Sequence, residues 1–199
     1  MIKISITGGI ASGKSELSTF LKDKGEVVID LDEISHQLTD NNSDVINDIV
    51  QQFGQEVKNS NGSINRKKLS KIVFDDSQKM LTLEKILHPR IREVMFDEIN
   101  SLKTERVFVE VQLLAEKKMA DLFNHIVLIS VSRKTQIERL KSKRAISKDL
   151  VNQILDKQLS NEKRIEKLQK FSLFTIDNNS SKEKLVDKFE DLYKKLINL

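Results

Sequence analysis

The chain has 199 residues, 38% of them hydrophobic and 32% charged, a balance that suits one folded domain with a heavily solvated surface and excludes a disordered chain. It contains no cysteine and only three histidines, which excludes disulfides, thiolate metal sites and cysteine nucleophiles. The formal charge of +4 fits a concentrated anion as partner, whether nucleic acid or a polyphosphate, and equally fits a surface with surplus lysine.

No apolar run approaches the roughly 20 residues needed to span a bilayer. The opening MIKISITGG lacks the layout of a signal peptide, so a cytoplasmic protein without membrane attachment is expected. Lys3 to Thr7 is a short β-branched run ending in glycines, and Lys14 to Lys24 follows with Leu17, Phe20 and Leu21 at helical spacing. The pattern is strand, tight loop, helix. Glu26 to Ile29 is a second strand, apolar without alternation as in parallel strands covered on both faces. Arg106 to Val111 and His125 to Val131 repeat that signature, and Leu173 to Ile176 makes a weaker fifth. Helical stretches lie between them at Ser43 to Phe53, Lys67 to Phe74, Ser77 to Leu87, Ile91 to Leu102, Lys134 to Lys143 and Ser147 to Leu168. Strands alternating with helices predict an α/β fold on a parallel sheet.

The stretch from Glu33 to Glu105 is far longer than one crossover requires and carries little strand signal, so it reads as an inserted helical subdomain. Ser147 to Leu168 suits a lid. The expected organisation is a single domain with a core of 1–32, 105–132 and 169–199, a helical acceptor subdomain of 33–104 and a lid of 133–168.

Between the first strand and first helix, Gly8, Gly9, Ile10, Ala11, Ser12, Gly13, Lys14 and Ser15 match G-x-x-x-x-G-K-[ST], the phosphate loop. Glycines let the loop turn its amides toward a phosphate, and the helix adds its positive N-terminal end. Lys14 is placed to neutralise β and γ oxygens, and the Ser15 hydroxyl to hold Mg²⁺ together with waters. Neither D-x-x-G nor N-K-x-D occurs, which disfavours a GTP switch.

Asp30 and Asp32 end the second predicted strand, where an i, i+2 pair in extended chain points to one side. Asp32 is the candidate base for an acceptor hydroxyl; a strand-end turn or a helix cap fits the same residues. Glu110, among Val109 and Val111, suits orientation of metal-bound water, a pairing with Lys14, or an ion pair with a neighbouring helix. Pro89 reads as the first turn of a helix that His88 caps. Arg133, Lys134, Arg139, Lys141, Lys143 and Arg144 form either a solvated basic helix or a lid whose cations reach a transferring phosphate. Arg139 is the first candidate for that role, with Arg144 behind it.

The ordered set ITGGIASGKS, IDLDEISHQL, FGQEV, NGSINRKKLSKIVF, LEKILHPRIR, VEVQLLAE, QIERL and IDNNSS resembles the dephospho-CoA kinases, and the resemblance spans nearly the whole chain. It implies a three-layer P-loop NTPase fold with a parallel five-stranded sheet, an inserted helical substrate domain and a helical lid. It also implies ATP and Mg²⁺ as cofactors and phosphorylation of the ribose 3′-hydroxyl of dephospho-CoA. On that pattern Lys14, Asp32 and Arg139 are catalytic. ATP is held by Gly9 to Ser15, Arg139, Arg144 and Asn178, and the acceptor by Asp32, His88, Pro89, Arg92, Leu113 and Glu116. Leu31, Gln112, Ala115 and Ser180 depart from the usual pattern, which touches the acceptor floor and the adenine loop. A second reading is another nucleoside or nucleotide kinase. A nucleic-acid-stimulated ATPase is disfavoured by 5% aromatics, no tryptophan and one tyrosine, and no nucleic-acid partner is expected. A monomer or weak homo-oligomer is expected.

Overall fold

The computed structural model describes residues 1–74, 76–112, 114–116, 119–144, 148–180 and 182–199, apart from the side chains of 143, 144, 148–150 and 182. The chain divides into two compact units, Met1–Ile29 with Thr104–Leu199, and Asp30–Lys103.

In the first unit β1 (Ile2–Gly8) leads into α1 (Lys14–Asp23), and β2 (Val28–Asp30) follows. After the second unit come β3 (Arg106–Glu110) and β4 (His125–Ser130), three helices, β5 (Leu173–Asp177) and α9 (Lys182–Leu196). The five strands form one sheet in the order β2-β3-β1-β4-β5. β1 is parallel to β3 and β4 on either side, so that Ile6 faces Glu110 across one ladder and Val127 across the other. Ile4 and Ile6 pack with Leu17 and Leu21 of α1 and with Leu185, Phe189 and Leu192 of α9. Ser5 and Thr7, on the opposite face, are also buried, so both faces of the central strand are covered. That burial fixes the carboxyl end of β1 and the start of α1, the two ends from which the glycine loop hangs.

The three helices between β4 and β5 are α6 (Arg133–Arg144), α7 (Lys148–Asp156) and α8 (Asn161–Leu168). The single predicted helix from Ser147 to Leu168 is therefore two, with Ser147 itself outside the described residues. Ser160 interrupts it: its side chain accepts from the Lys163 amide and caps α8, a conformation that the preceding helix cannot share.

The second unit consists of α2 (Leu31–Asn41), α3 (Ser43–Phe53), α4 (Arg66–Phe74) and α5 (Ser77–Ser101), with α5 packed on the other three. Asn42 caps α3 through the Val45 amide, and Asp76 caps α5 through the amides of Gln78 and Lys79. Two sequence expectations change here. Pro89 does not open a helix; it lies inside the 25-residue α5, and His88 is not a cap. Proline has no N–H for the Lys85 carbonyl, but both residues are on the exposed side, where water reaches that carbonyl, while Met95 and Ile99 anchor the helix beyond. Likewise, Asp30 and Asp32 are not an extended pair. Asp30 is the N-cap of α2 and accepts from the Asp32 amide at 2.9 Å, which puts Asp32 in the first helical turn. The cap wins because an aspartate before a helix satisfies an amide that otherwise lacks a partner.

Among the described residues no helix is long and apolar enough to cross a membrane. Replacing Pro89 by Ala should stabilise the chain by roughly 1–3 kcal/mol in urea unfolding, since an interior proline costs a helix about 3 kcal/mol and part of that is returned through a stiffer unfolded chain. A lower urea midpoint would show that α5 requires the proline.

Candidate active site

Gly13, the residue before α1, has φ 104 and ψ 22, a left-handed conformation that glycine adopts without strain. Gly13 has no side chain with which to cap α1, so the positive N-terminal end of the helix opens onto the loop. A Cβ on Gly13 would also lie 2.4 Å from Asn178 Nδ2, so conformation and space both require glycine.

The loop is held by its carbonyls. Lys14 Nζ donates to Gly8 O at 3.2 Å and to Gly9 O at 3.3 Å. Gln136 Nε2 donates to Ile10 O at 2.7 Å, Arg139 Nη1 to Ala11 O at 3.1 Å, and Asn178 Nδ2 to Ser12 O at 2.7 Å. Gly13 O accepts the first bond of α1, from the Leu17 amide at 3.2 Å. Six successive carbonyls are thus engaged. In a trans peptide the N–H points opposite to its carbonyl, so the amides of Ala11 and Gly13 are directed away from the side chains that hold Ile10 O and Ser12 O. Ile10 and Ala11 also pack against Leu140, Val151 and Leu155, which supports Ala11 in a left-handed conformation at φ 57 that costs about 1–2 kcal/mol outside glycine.

A cavity of about 500 Å³ opens beside this loop. The loop lines it from Ile10 to Glu16, and Glu110, Arg139, Asn178 and Leu185 close other sides. Lys14, Ser15, Arg139 and Asn178, all expected at one site, are therefore together. Asn178 is 2% exposed and takes Arg139 Nη2 on its carbonyl at 3.0 Å and on Oδ1 at 3.1 Å, so the guanidinium and amide form one rigid wall. Glu110, at the end of β3, is buried and accepts from Ser18 Oγ at 2.6 Å, one turn of α1 beyond Lys14. A hydroxyl at Ser15 and a buried carboxylate at Glu110 on one cavity suit a magnesium ion, the hydroxyl as a ligand and the carboxylate as acceptor for a metal-bound water.

In the second unit, the continuous α5 puts His88 and Arg92 one turn apart on a single face, while Arg90 pairs with Glu93 at 3.0 Å. His88 Nε2 lies 4.0 Å from Glu84 Oε1. Leu113 and the Arg144 side chain lie outside the described residues. Glu116, expected on the acceptor side, accepts from Arg164 Nη2 at 3.0 Å and from the Leu159 amide at 3.2 Å.

Sequence reasoning did not find Ser18, Gln136, Gln158 or Arg164. Gln158 Oε1 accepts from the Ile10 amide at 3.0 Å, and Arg164 is a buried cation in α8. Only Arg164 left a trace: Leu168, one turn later on the same face, is buried, and an arginine stands where that face should be apolar.

Replacing Asn178 by Asp sets a carboxylate against Ser12 O in a buried site. The expected outcome is a loss of roughly 1–3 kcal/mol of stability in urea unfolding and about tenfold weaker nucleotide binding in calorimetry. Unchanged binding would mean that the loop holds its shape without this contact.

The family model for dephospho-CoA kinase matches residues 2–184. The dephospho-CoA kinase of Fusobacterium nucleatum is 36% identical over 188 residues, covering 94% of each chain. Among solved structures, TT1252 from Thermus thermophilus superposes with a TM-score of 0.82 at 25% identity, covering 98% of this chain and 97% of that one. A dephospho-CoA kinase from Campylobacter jejuni superposes at 0.72 with 24% identity, covering 98% and 96%, a likeness of fold. With the phosphate loop formed at the end of the central strand and the match running almost from end to end, the chain belongs to the dephospho-CoA kinase family.

Proposed function

We propose that the chain transfers the γ-phosphoryl group of ATP to the ribose 3′-hydroxyl of dephospho-CoA, completing coenzyme A. The observation that carries this reading is the engagement of every carbonyl from Gly8 to Gly13, which directs the amides of Ala11 and Gly13, with the N-terminal end of α1, toward a polyphosphate, in a chain matched to this family over residues 2–184. The rigid wall of Arg139 and Asn178 bounds the nucleotide cavity, and Arg139 adds a fixed cation to it.

Lys14 Nζ donates to Gly8 O and Gly9 O, and phosphate oxygens outcompete these neutral acceptors because they add a full negative charge opposite the ammonium. Lys14 then bears charge on the β and γ oxygens as the bond to the leaving group stretches. Ser15 would hold a magnesium ion and Glu110 would orient its water, and the ion would supply charge neutralisation at the phosphates. Asp32 accepts the proton of the attacking hydroxyl; its amide is already tied to the Asp30 cap, which fixes the backbone from which that carboxylate projects. His88, Pro89 and Arg92 on one stretch of α5, with Leu113 and Glu116, are assigned to the acceptor. The protein is expected to act in the cytoplasm, as a monomer or weak homo-oligomer.

The test is ADP release with a panel of acceptors. Dephospho-CoA should exceed nucleosides and nucleoside monophosphates by about 100-fold or more in kcat/KM; a nucleoside that outperforms it would make the chain a different kinase. Replacing Asp32 by Asn should lower kcat by about 100-fold or more and leave the Kd for ATP within about threefold, since a general base acts only in the transition state. Near-normal turnover would remove Asp32 from the chemistry.

A further inference from the structure

Among the described residues, Arg139 and Arg164 flank the phosphate loop, and they do not do the same work. Arg139 holds the side near α1, donating to Ala11 O and to Asn178, with all three of its contacts on fixed neutral oxygens. Arg164 lies at the opposite side, where Gln158 holds the Ile10 amide and Lys14 Nζ covers Gly8 O and Gly9 O. Because that lysine marks the β and γ end of a bound triphosphate, the side of the loop near Gly9 is where the terminal phosphoryl group belongs.

Arg164 is 3% exposed, yet it uses only one end of its fork. Nη2 donates to Glu116 Oε1 at 3.0 Å and to Gln158 Oε1 at 3.3 Å. Nη1 makes no hydrogen bond to any described residue, and it lies 3.1 Å from the point that a Cβ on Gly9 would occupy. Glu116 Oε2 is buried and also has no hydrogen-bond partner among the described residues. A purely structural arginine and carboxylate would close both prongs on each other, the geometry that satisfies a buried pair best. Here one prong of each stays open. Glu116 instead secures Arg164 by a single edge and leaves the other edge directed at the loop. Gly9 permits this approach through size alone, since a side chain there would collide with Nη1 and with Gln136 Nε2, 2.7 Å from the same point.

We propose that Arg164, held by Glu116 and Gln158, binds the terminal phosphoryl group of ATP through Nη1 and bears part of its charge during transfer. This rests on the kinase reading above. It deepens that reading by adding, at the Gly9 side of the loop, a cation that sequence motifs did not reveal. A guanidinium there has no counterpart to meet in ADP, which ends at the β-phosphate, so Arg164 separates the two nucleotides as well as assisting the reaction.

The experiment measures, by calorimetry with Mg²⁺, the Kd of ADP and of the non-hydrolysable β,γ-imido analogue of ATP, together with kcat on dephospho-CoA, for wild type, Arg164→Gln and Arg164→Lys. In Arg164→Gln the analogue should weaken about tenfold, the effect of one lost charge-assisted hydrogen bond, while ADP stays within about twofold. Its kcat should fall about 100-fold or more, as for cations on a transferring phosphoryl group. Arg164→Lys keeps the charge without the fork and should fall between the two, which serves as the readout should Arg164→Gln not fold. Parallel weakening of ADP and analogue, or unchanged kcat in either variant, would make Arg164 a structural residue and overturn the proposal. A wild-type chain that binds neither nucleotide would refute the phosphate-loop reading itself, and the proposal with it.

Discussion

The structure depends on capture of the phosphate-loop carbonyls from outside the loop. A glycine-rich turn has many conformations of similar energy, and an anion pocket requires one of them. Gln136, Arg139 and Asn178 select it by taking the carbonyls of Ile10, Ala11 and Ser12, and these side chains come from α6 and from the segment after β5. The loop is therefore shaped by residues more than a hundred positions away. Asn178 is anchored in turn by the sheet: its backbone amide donates to Ser130 O at the end of β4, joining two adjacent strands just where the loop is gripped.

That dependence explains what was legible beforehand. The G-x-x-x-x-G-K-[ST] run is local, and its strand and helix are set by unbroken burial and by the 3.6-residue spacing of Leu17 and Leu21, so loop and sheet could be read directly. Gln136, Gln158 and Arg164 belong to no local pattern. A glutamine on a helix reads as surface, and only the folded chain shows that Gln136 and Gln158 hold opposite groups of Ile10, its carbonyl and its amide.

The helical unit shows the opposite failure, in which a sound local rule is overridden. Proline marks a helix boundary on average, yet in α5 the packing of the residues beyond Pro89 outweighs one missing hydrogen bond. Asp30 and Asp32 are a milder case. Both an extended pair and a helix cap were open from the residues, and the cap is what forms, leaving the two aspartates with different tasks: one builds the helix start, the other is carried on it.

The most direct measurement is a crystal structure with ADP and Mg²⁺ bound. The expected result is β-phosphate oxygens about 3 Å from the amides of the 11–15 stretch, with Gln136, Arg139 and Asn178 still on the carbonyls of Ile10, Ala11 and Ser12. A nucleotide seated elsewhere, or a loop whose carbonyls leave those side chains when the phosphates enter, would contradict it.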